Sequence, residues 1–281
     1  MTEIIIAIAV VAVIGLVCGL ILTIASKVME VKEDERIALV RECLPGANCG
    51  ACGFTGCDGY AKALIETEGT PTNLCTPGGA DAAKKIAETL GVEFSDVEKK
   101  VAYVHCHGDC SATHTKFVYE GISTCVGAKM LFAGQWSCSH GCLGFGDCMN
   151  VCTKDAIILK GGVAHIDPSK CSGCGLCAKT CPNALISLFG DKKYVVVACN
   201  STEKGALTRA ACSNGCIGCK KCEKTCSVGA IAVENNIARI DYDKCIACGD
   251  CAEACPVGCL KIADFSAGKT AEKEEKVEVK A

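Results

Sequence analysis

The stretch CSGCGLCAKTCP, residues 171–182, sets the architecture of this chain. Cys171, Cys174 and Cys177 recur every third residue, Cys181 comes four later, and Pro182 closes the run. Such spacing holds [4Fe–4S] clusters, because three thiolates on one short loop can each take a different iron corner of one cube while the fourth reaches a neighbouring cluster. A zinc ion asks instead for four sulfurs converging on one point, usually delivered as two separated pairs.

The run returns 74 residues on, as Cys245, Cys248, Cys251, Cys255 and Pro256. The same offset carries Cys152 to Cys226, Cys148 to Cys222, Cys142 to Cys216, Cys138 to Cys212 and Cys125 to Cys199. It also lays DAIILKGGVAHIDPSKC (155–171) over GAIAVENNIARIDYDKC (229–245). A whole module is duplicated, and each copy carries two Cys runs, as one two-cluster ferredoxin does. By the crossing rule of such ferredoxins, Cys152 is expected to join Cys171, Cys174 and Cys177. In the second copy the rule groups Cys216, Cys219 and Cys222 with Cys255, and Cys245, Cys248 and Cys251 with Cys226.

The first copy departs from this pattern at one place: GCLGFGDC (141–148) has Phe145 where GCIGCKKC (215–222) has Cys219. Another thiolate must complete that cluster, and Cys138 is the nearest candidate beside Cys142, Cys148 and Cys181. Cys106, Cys125, Cys199 and Cys212 are then left as a set that could hold a further cluster between the copies. At this point the grouping stays open, since Cys138 and Cys106 could exchange roles and Cys110 could replace either. His105, His107 and His114 in the same region could build a copper or zinc site, against the plainer reading of polar histidines on a loop.

Nearer the N-terminus, LPGANCGACGFTGCDGYAKAL (44–64) presents Cys49, Cys52 and Cys57, joined by Cys75 of the LCTPGG segment. One cubane cluster is the expected occupant, with zinc as the alternative. Gly46, Gly50, Gly53, Gly56 and Gly59 let backbone N–H groups approach the sulfurs and offset their negative charge. Six [4Fe–4S] clusters would use every one of the 28 cysteines except Cys18, Cys43, Cys110 and Cys259.

Composition agrees. With 28 Cys, 30 Gly, 5% aromatic residues and one Trp in 281 residues, clusters replace much of an ordinary apolar core. A secreted disulfide scaffold would not group its cysteines in close triplets. Residues 4–25, IIIAIAVVAVIGLVCGLILTIA, have the length and polarity of a membrane-spanning helix, and no cleavage site follows them. Gly15 and Gly19 form a G-x-x-x-G pair that could admit another membrane helix. Basic residues follow the run (Lys27, Lys32, Arg36) and none precedes it, which orients the bulk of the chain to the cytoplasmic side of the plasma (bacterial inner) membrane.

The expected fold class is α+β, divided as follows: anchor helix 1–26, charged connector 27–42, four-Cys domain 43–103, first ferredoxin-like module 104–190, second module 191–263, and a charge-rich disordered tail 264–281. The formal charge of −3 omits the clusters, which at about −2 each would take the loaded chain to roughly −15. Lys220, Lys221 and Lys224 sit inside the second cluster run, either as scattered solvated lysines or as a patch attracting an acidic redox partner such as soluble ferredoxin. There is no nucleotide-binding glycine fingerprint and no acid–base pair, so electron transfer rather than substrate chemistry is expected, with no nucleic-acid partner.

The order of anchor helix, LPGANCGACGFTGC unit with Cys75, and duplicated segments with GCLGFGDC and GCIGCKKC resembles the B subunit of the Rnf complex over nearly the whole chain. The resemblance implies a membrane-bound ferredoxin:NAD+ oxidoreductase that couples electron flow to Na+ or H+ translocation. This subunit would take electrons from reduced ferredoxin and hand them towards membrane subunits, the NAD site and flavins lying elsewhere in the complex. Two alternatives belong to other classes: an assembly that reduces a redox-sensing transcription factor, and a polyferredoxin feeding a hydrogenase or disulfide reductase. The four-Cys unit is also similar to a module of corrinoid iron–sulfur proteins.

Overall fold

The computed structural model describes residues 2–28, 34–67, 69–95 and 99–265. The tail expected beyond residue 265, and residues 29–33 of the expected connector, lie outside the described residues. Helix α1, Thr2–Val28, covers the apolar N-terminal run, and its described large apolar side chains from Ile4 to Ile24 are exposed. The side chains of Ala7, Ile8, Val10 and Val11 fall outside the described set, and among the described residues no helix is long and apolar enough to cross a membrane. The span over 4–25 therefore rests on the sequence.

Helices α2 (Glu35–Glu42), α3 (Cys57–Glu66) and α4 (Gly79–Leu90) build the N-terminal unit. Asp34 caps α2 by accepting the Arg36 N–H at 2.9 Å, and α4 ends on Gly91 in the left-handed conformation. Val40 and Leu44 pack with Tyr60, Ala61 and Ile86 around Cys57 and Cys75. This corrects the expected boundary. Residues 35–42 are part of the four-Cys unit's core rather than a connector, because Ile37, Val40 and Leu44 recur at helical spacing and need an apolar partner.

The remainder repeats one plan. In the first module come β1 (Lys100–Val104), α5 (Cys125–Met130), α6 (Asp147–Asn150), β2 (Ile157–Lys160), β3 (Val163–Ile166), α7 (Leu176–Thr180) and β4 (Ile186–Gly190). The second has β5 (Lys193–Val197), α8 (Gly205–Ala211), α9 (Lys221–Thr225), β6 (Ile231–Glu234), β7 (Ile237–Ile240), α10 (Asp250–Glu253) and β8 (Leu260–Asp264). Strands β2 and β3 form a hairpin, as do β6 and β7, while β1 pairs with β4 and β5 with β8, all antiparallel. Asn235 and Asn236 both turn through positive φ between β6 and β7, the mirror-image turn that suits hairpin twist.

Pairing in space redraws two boundaries. Lys100–Val104 belongs to the first module as the partner of β4, not to the four-Cys unit. At the other end Asp264 closes β8, and Phe265 is wholly buried, so the tail cannot begin at 264. Phe265 joins Val101, Phe189, Val196 and Ala263 in a core between the modules, stacked on Phe189 at 5.7 Å.

The register also corrects the repeat itself. Val104 faces Ile186 as Val197 faces Leu260, so Cys106, two residues beyond Val104, is the counterpart of Cys199. Cys125 is not. It lies in a segment between β1 and the first cluster run that is longer than its equivalent after β5, and the 74-residue spacing to Cys199 has no structural meaning.

Candidate metal centres

All 28 cysteines are unbridged. Cys49, Cys52 and Cys57 surround Cys75 in the N-terminal unit, where the Cys57 N–H donates to Asn48 Oδ1 at 2.8 Å and fixes the start of α3. Cys43 stays outside, its thiol set against Leu39 O and Thr89 Oγ1. Cys152, Cys171, Cys174 and Cys177 line one apolar cavity with Ala102, Ile157 and Leu176. In the second module Cys226, Cys245 and Cys248 surround Cys251, and Cys216, Cys219 and Cys255 surround Cys222.

Two of the expected sets exchange a member. Cys125, not Cys138, lines the cavity of Cys142, Cys148 and Cys181. The reason is local. Thr124 caps α5 through the Gly127 N–H, the Val126 N–H donates to Asp147 Oδ2 at 3.2 Å beside Cys148, and Lys129 Nζ reaches the carbonyl of Pro182 after Cys181. Helix α5 is thereby pinned at both ends over the place that Phe145 leaves without a sulfur, while Phe145 itself packs edge-on against Tyr119 at 5.2 Å.

Cys138 instead joins Cys106, Cys199 and Cys212 around a cavity between the modules. The sulfurs of Cys106 and Cys138 flank Gly141, and those of Cys106 and Cys212 flank Gly108. Each module contributes a pair, and the pairs are counterparts: the Cys142 N–H donates to Cys106 Sγ and the Cys216 N–H to Cys199 Sγ, both at 3.3 Å. Cys110 is exposed and lines no such cavity.

The donor chemistry of these sets fits anionic iron–sulfur clusters. Sulfurs receive backbone N–H groups elsewhere too, at Cys152 from Ala156 (3.4 Å), Cys171 from Gly173 (3.4 Å) and Cys226 from Ala230 (3.3 Å). Such donors offset the charge of a ligated thiolate. Burial, reinforced by repulsion from the neighbouring thiolates of each set, pushes the thiols of Cys106 and Cys148 up to about 12 and those of Cys177 and Cys222 up to about 11, so thiolates there call for compensating metal charge. Cys216 and Cys255 go the other way, to about 6 and about 5, chiefly because the Cys259 thiol beside them favours their charged form. Among the described residues no group of three or more His, Cys, Asp or Glu converges as a single-ion site would. Burial lowers the pKa of His105, which hydrogen-bonds through Nδ1 to the Val197 carbonyl at 2.7 Å.

Gly173 shows how tightly one loop is built. It turns at φ +66° between Cys171 and Cys174, and a Cβ there would fall on the Lys100 carbonyl of β1. Gly173→Ala is expected to cost roughly 2 kcal/mol or more and to lower iron retention, read by thermal unfolding and iron analysis of the anaerobic protein.

Comparison with known proteins finds iron–sulfur domains in the same stretches of the chain. Residues 44–77 match the model of a putative Fe–S cluster family, 164–187 a 4Fe–4S binding domain, and 215–272 a 4Fe–4S dicluster domain. The chain is 41% identical over 245 residues to the B subunit of the Na(+)-translocating ferredoxin:NAD(+) oxidoreductase complex of Acetobacterium woodii, covering 87% of this chain and 73% of that protein. It is 40% identical over 238 residues to the B subunit of the ion-translocating oxidoreductase complex of Methanosarcina acetivorans, covering 84% and 90%. The B subunit of the proton-translocating ferredoxin:NAD(+) oxidoreductase complex of Clostridium ljungdahlii is 39% identical over 242 residues, covering 86% and 85%. By likeness over most of its length and by its iron–sulfur domains, the chain belongs to the B-subunit family of the Rnf complexes, the electron-transfer subunits of ion-translocating ferredoxin:NAD+ oxidoreductases.

Proposed function

We propose that this chain is the electron entry arm of its complex, accepting electrons from reduced soluble ferredoxin and passing them through six [4Fe–4S] clusters towards the other subunits. When bound, the clusters supply sites that each hold one electron at a time. The observation that carries this reading is the unbroken succession of sulfur sets. The four-Cys unit touches the first module where Lys179 donates to the Gly50 carbonyl at 3.3 Å, two residues from Cys177. Cys177 shares a core with Cys148 of the next set, the Cys142 N–H meets Cys106 of the intermodular set, and the Cys216 N–H meets Cys199 of that same set. Cys222 and Cys251 share the last core. The proposed path follows this order.

Helix α1 is proposed to anchor the arm in the membrane with its bulk on the cytoplasmic side, supported by the apolar run and the basic residues after it. Lys220, Lys221 and Lys224 are all exposed around the loop that carries Cys219 and Cys222, which supports a docking patch for acidic ferredoxin.

The test uses the full chain purified without oxygen. About 24 iron per chain, reducible by ferredoxin, supports the reading, and a zinc-rich, iron-poor product defeats it. Lys220→Gln, Lys221→Gln and Lys224→Gln together are expected to slow ferredoxin-driven reduction at low salt roughly tenfold and to flatten its dependence on ionic strength, measured by stopped-flow bleaching. A rate in the parent protein that ignores salt would rule the patch out.

A further inference from the structure

Of the four cysteines outside the six sets, Cys259 alone is buried, at 1% exposure. Its sulfur lies 3.6 Å from that of Cys255 and its thiol also faces Cys216, two members of one set. The backbone around it is that of the first module, since the Ala198 N–H donates to the Cys259 carbonyl as the His105 N–H donates to the Leu185 carbonyl, both at 2.7 Å. Leu185 is thus its counterpart, also 1% exposed, on the apolar wall of the Cys142, Cys148 and Cys181 cavity. The two modules offer the same place to one cluster each and fill it with a leucine in one and a thiol in the other. A buried S–H seeks an acceptor, and the acceptors within reach here are the ligand sulfurs.

We propose that Cys259 is a positioning residue whose S–H donates to the Cys255 thiolate and so raises the reduction potential of the cluster that Cys255 helps to hold above that of its first-module counterpart. A hydrogen bond to a cluster thiolate stabilises the reduced state, which carries one more negative charge. Leu185 provides no such donor. Electrons arriving through the first module then settle on the inner cluster of the second. This rests on the cluster reading above, and iron analysis separates the two: an iron-poor parent chain defeats that reading, whereas a fully loaded chain tests this one.

The experiment is a potentiometric titration of the full anaerobic chain followed by low-temperature electron paramagnetic resonance. Cys259→Leu is expected to keep about 24 iron and to lower one midpoint so that the reduced-to-oxidised ratio at fixed poise falls about tenfold, about 59 mV for one electron. Cys259→Ser, which keeps a donor, should hold that midpoint near the parent value. Leu185→Cys should raise the midpoint of a different cluster, and it decides the matter should Cys259→Leu fail to fold. Full iron with unmoved midpoints in both Cys259→Leu and Leu185→Cys overturns the proposal. Loss of about four irons from both Cys259 variants also overturns it, because Cys259 would then be a ligand.

Discussion

Cys125→Ser is expected to cost the anaerobically purified chain about four irons, or to leave one cluster as a three-iron remnant, while Cys138→Ser should damage a different cluster. The cavity that Cys125 completes holds three other sulfurs, from Cys142, Cys148 and Cys181, and nothing else lining it can bind iron through sulfur. The decisive arm is a rescue. Phe145 stands at the repeat position of Cys219, and Gly144 and Gly218 before them share the positive φ that shapes the loop, 79° and 65°. Phe145→Cys added to Cys125→Ser should therefore restore the lost iron and the spectrum of that cluster. Iron and sulfide analysis with low-temperature spin resonance reads both arms. Were Cys125→Ser to retain every iron and every signal, the exchange of Cys125 for Cys138 would be wrong.

Phe265→Ala is expected to destabilise the paired modules by about 3–5 kcal/mol and to lower the thermal midpoint by on the order of 10 °C. Phe265 is completely buried at the seam, stacked on Phe189 and close to Tyr103 and Tyr194, so truncation leaves a cavity lined by aromatic side chains from both modules. Because native domains hold only about 5–15 kcal/mol in reserve, such a loss is a large share of the total. A chain ending at residue 263 should resemble or exceed the defect of Phe265→Ala. Equal midpoints for all of these would show that the aromatic seam contributes little.

Local spacing made the chemistry legible. The triplets around Cys174 and Cys248 and the loop of Cys49, Cys52 and Cys57 are stretches in which residue type, interval and glycine placement are all written within a dozen or so residues, because a cubane is gripped mainly by one short segment. Cys152, Cys226 and Cys255 lie beside the triplets to which the crossing rule assigns them, since the same loops recur in both copies. Where the repeat was broken, the pattern misled. A constant offset of 74 paired Cys125 with Cys199, though strand register shows Cys106 to be the partner.

What pairing through space alone could decide is where the long segment after β1 returns. Asp147 and the Pro182 carbonyl pin α5 so that Cys125 supplies the sulfur missing at Phe145, and that in turn frees Cys138 to meet Cys106, Cys199 and Cys212 between the modules. The same holds for Phe265, which belongs to a charge-rich stretch in the chain yet is buried because β8 pairs with β5. Motif spacing encodes the bonds that close within a loop. Contacts between distant segments depend on strand pairing and on side chains that cap or staple them, and neither leaves a periodic mark along the chain.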